Sequence, residues 1–148
     1  MKLLQPTPPR TDPQSLIDAV ALWWRHRPGA VAAALVGSFA RGEARPDSDI
    51  DFVLLCRDPH VYLEDTAWVQ QFGEPAAIRR ETWGDVVSLR VSYADFEIEF
   101  GLTSPAWASD PDDPGVQQVI RQGIGILHDE EGTLAARVER IRTNPPAG

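Results

Sequence analysis

Hydrophobic and polar positions along the chain divide it into a short series of elements. After Asp12-Pro13, an N-cap followed by a first-turn proline, Leu16, Val20, Trp23 and Trp24 recur at helical spacing until Pro28-Gly29 stops the run, so a helix is predicted over Pro13 to Arg27. The apolar run Val31 to Val36 is too short for a stable helix and ends in Gly-Ser, which suits a buried strand. Asp49 to Leu55 first alternates acid and apolar and then becomes wholly apolar, a strand whose acidic end leaves the core. Asp58-Pro59 repeats the cap pattern and opens a predicted second helix with Leu63, Trp68, Val69 and Phe72 on its buried side, ending near Gly73. Three strands follow as a meander, Ala76 to Trp83, Val86 to Tyr93 and Phe96 to Leu102, with Gly84-Asp85 and Ala94-Asp95 as the turns. Asp113-Pro114 opens a helix carrying Val116, Val119 and Ile120, Ile124 to Leu127 reads as a short strand, and Leu134 to Ile141 closes as an amphipathic helix.

The mixture of strands and helices predicts an α/β (α+β) domain over residues 13–143, flanked by a flexible proline-rich arm, 1–12, and a flexible tail, 144–148. At 148 residues, with 43% hydrophobic and 24% charged residues, the chain suits one compact domain. A formal net charge of -8 disfavours general nucleic-acid binding, because most of the surface repels a phosphate backbone. A single nucleotide remains compatible, since a divalent metal held by carboxylates reverses the local charge. The longest apolar run, Val31 to Gly37, is far too short to span a bilayer and no signal-peptide pattern opens the chain, so a cytoplasmic protein is expected. Cys56, the single cysteine, sits in an apolar series and is expected to be a buried thiol. His26, His60 and His128 lack zinc-ligand spacing and are expected to be exposed.

The segment Leu35 to Leu55 carries the chemistry. Gly37 lets the backbone turn sharply and approach a ligand, and Ser38 offers a hydroxyl and an amide to phosphate oxygens. If Ser38 to Arg41 form a helical turn, its free N–H groups face the same oxygens. Asp49 and Asp51 project from one strand face, where two carboxylates repel unless a cation lies between them. Mg²⁺ is the natural occupant, because it takes oxygen ligands and combines one or two carboxylates with substrate phosphates. Taken singly, Gly-Ser is an ordinary strand-to-helix turn and Asp-x-Asp an ordinary solvated strand end; together at this spacing they point to phosphoryl or nucleotidyl transfer.

Val36-Gly37-Ser38, ten residues, then Asp49-Ile50-Asp51-Phe52 closely resembles the signature of the polymerase-β-like nucleotidyltransferases, and Ala40-Arg41-Gly42 and Ser48 match its small prokaryotic members. The resemblance implies a mixed β-sheet with helices packed mainly on one side. It also implies a Gly37-Ser38 turn that holds the β and γ phosphates, and Asp49 and Asp51 as ligands of Mg²⁺ or Mn²⁺. A third carboxylate, a metal ligand or general base, would come from a later strand, where Glu97 and Glu99 share one face and the choice stays open. The implied reaction transfers NMP from an NTP, with ATP first in line, to a hydroxyl and releases pyrophosphate. The acceptor is expected to be a small molecule or a protein, with a homodimer supplying a missing wall as another arrangement. A protein acceptor would liken the chain to minimal antitoxins that modify a HEPN-type toxin, and the competing reading is a non-catalytic nucleotide-binding or toxin-neutralising module.

Among secondary candidates, Arg41 stands beside the phosphate cradle, although it and Arg45 are also placed to pair with Glu43 or Asp47. Arg79, Arg80 and Arg90 alternate with other residues as on a solvated strand face. Trp23 and Trp68 fall at core spacing, and Trp107, in an apparently irregular loop, is the one tryptophan placed to line a substrate site.

Overall fold

A computed structural model describes residues 12–109 and 114–143; the expected arm, apart from Asp12, the tail and Asp113 lie outside the described residues. Asp12 caps α1 (Pro13–Arg25), its carboxylate accepting from the Ser15 N–H at 3.2 Å with proline in the first turn. The helix stops two residues short of Arg27, because His26 leaves the helical conformation; its N–H donates to the Trp23 carbonyl at 3.3 Å and the Arg27 N–H to the Trp24 carbonyl at 2.9 Å. There follow β1 (Ala30–Val36), α2 (Gly37–Arg41), β2 (Ile50–Cys56) and α3 (His60–Glu64), then a 3₁₀ turn (Ala67–Phe72), β3 (Ala77–Trp83), β4 (Val86–Ser92) and β5 (Glu97–Thr103). α4 (Ala106–Ser109), α5 (Pro114–Gln122), β6 (Gly125–Asp129) and α6 (Thr133–Thr143) complete the order.

The single helix expected from Asp58 to Gly73 is two pieces. Asp65 takes an extended conformation, φ -118° and ψ 107°, and its carboxylate accepts from the Ala67 N–H at 3.0 Å. That local bond competes with the helical ladder and divides α3 from the 3₁₀ turn. Leu63 and Val69 nevertheless reach the core from the two pieces.

Six strands form one mixed sheet in the order β3-β4-β5-β2-β1-β6. Every neighbouring pair is antiparallel except β2 and β5, which run parallel. The meander β3-β4-β5 is as expected, and the long excursion between β2 and β5 is what a parallel pairing requires.

Helices cover both faces, which corrects the expectation of a mainly one-sided arrangement. Ala33, Phe52, Leu54, Ile98 and Phe100 face the layer of α1, α3 and the 3₁₀ turn, whereas Ala32, Ala34, Val53 and Leu55 face α4, α5 and α6. β1, and β2 from Phe52 onward, are continuous apolar runs, so both of their faces need burial. On the second face the apolar cover ends at Val53, and the next residues toward the start of β2 are Asp51 and Asp49.

In the first layer Trp23 stacks on Trp68 with ring centroids 5.1 Å apart, as their core spacing suggested. Trp24 is fully buried and donates from its indole N–H to the Ala32 carbonyl at 2.9 Å. Cys56 is a buried free thiol, pushed up to about 12 by burial and by Asp58. No helix among the described residues is long and apolar enough to cross a membrane.

Trp24→Ala removes both the ring and the partner of the Ala32 carbonyl, and is expected to cost about 3–5 kcal/mol in urea unfolding. Leu22→Ala on the exposed side of the same helix, where Leu22 is 59% accessible, is expected to stay within about 0.5 kcal/mol.

Candidate active site

Strand pairing assembles the site. β1 runs antiparallel to β2, so Val36 at its end lies beside Asp51 near the start of β2, and the turn at Gly37 follows at once. β5 runs parallel to β2 and sets Glu99 beside Asp51. β4 runs antiparallel to β5 and sets Arg90 beside Glu99 and Ser92 beside Glu97. One row across the sheet therefore reads Val36, Asp51, Glu99, Arg90.

Gly37 has φ 72°, a left-handed conformation, and the position of a Cβ on it falls inside the contact radius of Asp51 Oδ2. Glycine is thus required twice, by the backbone turn and by the carboxylate resting against its Cα. The expected helical turn is present as α2, closed by Gly42 at φ 72° with the Glu43 N–H donating to the Ser38 carbonyl at 2.9 Å. Among the described residues no side chain engages the Ser38 hydroxyl, which leaves it open to a ligand. Arg41 lies within electrostatic reach of Asp51 and also pairs with Glu43 at 3.6 Å, so both roles foreseen for it are compatible with its position.

Arg90 corrects the expectation of a solvated arginine. Its side chain is 21% accessible, and its nitrogens meet four carboxylates: Nη1 donates to Asp49 at 2.7 Å and Glu97 at 3.3 Å, Nη2 to Glu99 at 2.9 Å and Nε to Glu81 at 3.2 Å. Arg79 remains largely exposed and pairs with Glu81 at 3.2 Å, while Arg80 turns to the other face and donates to the Leu63 carbonyl. Trp107 is also corrected: it lies in α4, buried in the second core cluster beside Val53 and Leu55, because the stretch expected to be irregular winds into a helical turn.

Negative charge exceeds its compensation. Burial, then Glu99 and Asp49, push Asp51 up to about 7, with Arg90 and Arg41 only partly opposing. Asp49 and Glu99 are both held above the usual carboxylate range, chiefly by burial, with Glu97 adding for Asp49 and Glu81 for Glu99. Glu97 goes the other way: burial opposes ionisation, but bonds from the Ser92 hydroxyl, Asp49 and Arg90 outweigh it. Hard oxygen donors with uncompensated charge suit a divalent cation such as Mg²⁺. Among the described residues no three His, Cys, Asp or Glu side chains are grouped so as to hold a metal ion by themselves. A cation beside Asp49 and Asp51 would take its remaining ligands from phosphate oxygens and water, the usual arrangement for magnesium.

Residues 22–91 match the family model described as "Nucleotidyltransferase domain". That stretch, a little under half of the chain, is similar to a nucleotidyltransferase domain. The matched segment holds Gly37, Ser38, Asp49, Asp51 and Arg90 but stops before Glu97 and Glu99, so the acids of β5 join the site through the sheet alone. A crystal structure of an aminoglycoside 6-adenyltransferase from Bacillus subtilis superposes on 68% of this chain with a TM-score of 0.55 at 15% identity, which shows a shared fold. This chain spans 38% of that protein's length. A Cid1 poly(U) polymerase structure aligns over 76% of this chain and 35% of its own at 13% identity, with a TM-score of 0.43 that carries no argument. No curated protein matches the chain. The family resemblance drawn from Gly37-Ser38 and Asp49/Asp51 thus holds for the domain and its fold.

Gly37→Ala combines a left-handed backbone with a clash against Asp51, and is expected to lower unfolding stability by about 1–3 kcal/mol. Asp51→Asn is expected to act oppositely in EDTA. Because Asp51 ionises near 7 when folded and near 3.8 when unfolded, the wild type loses stability as pH rises through that window. At pH 8 the variant should melt above the wild type, and the gap should close as the pH falls toward 4; equal melting temperatures throughout would contradict the charge excess.

Proposed function

We propose that the domain transfers NMP from an NTP, ATP being the first donor to test, to a hydroxyl acceptor with release of pyrophosphate. The observation that carries this reading is the contact of Asp51 with Gly37: it fixes the carboxylates beside a turn whose N–H groups and Ser38 hydroxyl suit phosphate oxygens. Gly37 and Ser38 bind the triphosphate, and Arg41 offsets part of its charge. Asp49, Asp51 and Glu99 would hold Mg²⁺, which when bound neutralises phosphate charge and polarises the phosphorus toward attack.

Glu99 is the better third acid. It stands beside Asp51 in register and its carboxyl is held above the usual range, so it is suited to accept a proton. Glu97 is engaged by Ser92 and Arg90 and kept below that range, which makes it a support. The acceptor oxygen forms the new bond to the α-phosphorus, the bond from that phosphorus to the bridging oxygen breaks, and the acceptor proton passes to the Glu99 carboxylate.

Incubating the purified protein with α-labelled ATP, Mg²⁺ and a lysate of its host should move label onto a protein or a small molecule. Asp51→Asn and Glu99→Gln should each reduce transfer by about a thousandfold or more, and Glu97→Gln by about tenfold. Transfer that survives Glu99→Gln but not Glu97→Gln would reverse the assignment. Binding of MgATP with no transfer of any of the four nucleotides would favour the non-catalytic module instead.

A further inference from the structure

Arg90 lies within the acidic row, with Arg79 beyond it at the edge, and its three nitrogens serve separate partners. Nε is held by Glu81 of β3, Nη2 by Glu99 of β5, and Nη1 by Asp49 ahead of β2, with Glu97 as a longer second contact. The bond to Asp49, at 2.7 Å, is the shortest of the four and the only one that ties the β3-β4-β5 meander to the segment bearing Asp49 and Asp51. Asp51 receives none of these bonds.

We propose that Arg90 is a built-in counter-cation that competes with divalent metal for Asp49. A guanidinium and a divalent ion a few ångströms apart repel strongly in a partly buried site, so the two cannot both engage Asp49 at full strength. Glu81 anchors the guanidinium from β3, on the other side, which lets it give up Asp49 without leaving the sheet. Free metal must therefore break the Asp49 bond with little return. Metal carried by a triphosphate brings its own ligands and negative charge, so the site favours the metal–nucleotide complex over the bare ion. Arg90 acts here as a positioning residue, through Asp49. The inference rests on the metal-dependent reading above and deepens it.

Mn²⁺ binding, followed by the loss of the free-ion electron paramagnetic signal without nucleotide, tests it. Arg90→Gln is expected to bind Mn²⁺ roughly tenfold more tightly than the wild type, the scale of one charge-assisted bond removed. Arg90→Lys, which keeps the charge but cannot bridge the same carboxylates, should fall between, and it carries the test if the glutamine variant does not give a native circular dichroism spectrum. Arg79→Gln removes a nearby exposed cation that does not touch Asp49, and should change affinity by no more than about twofold. Arg90 variants that bind Mn²⁺ no better than the wild type, or an equal gain from Arg79→Gln, would overturn the competition while leaving the metal reading intact if the wild type still binds Mn²⁺ with ATP. Failure of every protein to bind Mn²⁺, with or without ATP, would remove the metal reading and this inference together.

Discussion

The carboxylate of Asp51 rests against the Cα of Gly37, and this contact constrains most of what surrounds it. It requires that β1 end where β2 begins, that the residue after Val36 have no side chain, and that the chain turn at once into α2. The turn's amides and the acids are consequently parts of one unit, set by backbone pairing and not by side-chain flexibility. Sites built on regular elements in this way hold their geometry better than sites carried on loops.

The acidic row is an expensive feature for a metal-free protein. Burial and mutual repulsion oppose ionisation of Asp49, Asp51 and Glu99, and Arg90, with Arg41 at Asp51, offsets only part of the excess. The apolar layers tolerate the cost. Both faces of β1 and β2 are packed, one against the tryptophan-rich layer around Trp24 and the other against α4 to α6. Local electrostatic strain can then persist at the uncovered start of β2, where it biases the site toward a cationic ligand.

The domain resembles in fold a longer protein, of which it spans 38%. Its own residues account for a glycine-serine turn and an acidic row; under the proposed reaction, an acceptor would approach from the polar side of the meander beside Glu97 and Glu99. The acceptor's identity therefore belongs to chemistry outside the assembled site.

Much of this was legible in the sequence because it is local. Helical and alternating periodicity located the strands to within a residue or two, Asp12-Pro13 marked the start of α1, and Gly37-Ser38 with Asp49 and Asp51 pointed to the family whose model matches residues 22–91. The Ala94-Asp95 turn even contained the register that opposes Arg90 to Glu99, since a hairpin centred there pairs Ser92 with Glu97 and Arg90 with Glu99. Reading Arg90 as solvated overlooked that consequence. The parallel alignment of β2 with β5 was decided only by tertiary structure, because no local pattern states which strand a distant strand will join. That alignment put Glu99 beside Asp51 and brought Asp49 to Arg90, while the packing of α4 against the second face put Trp107 in the core. Periodicity says which face a residue takes; only the packed sheet says which neighbours share it.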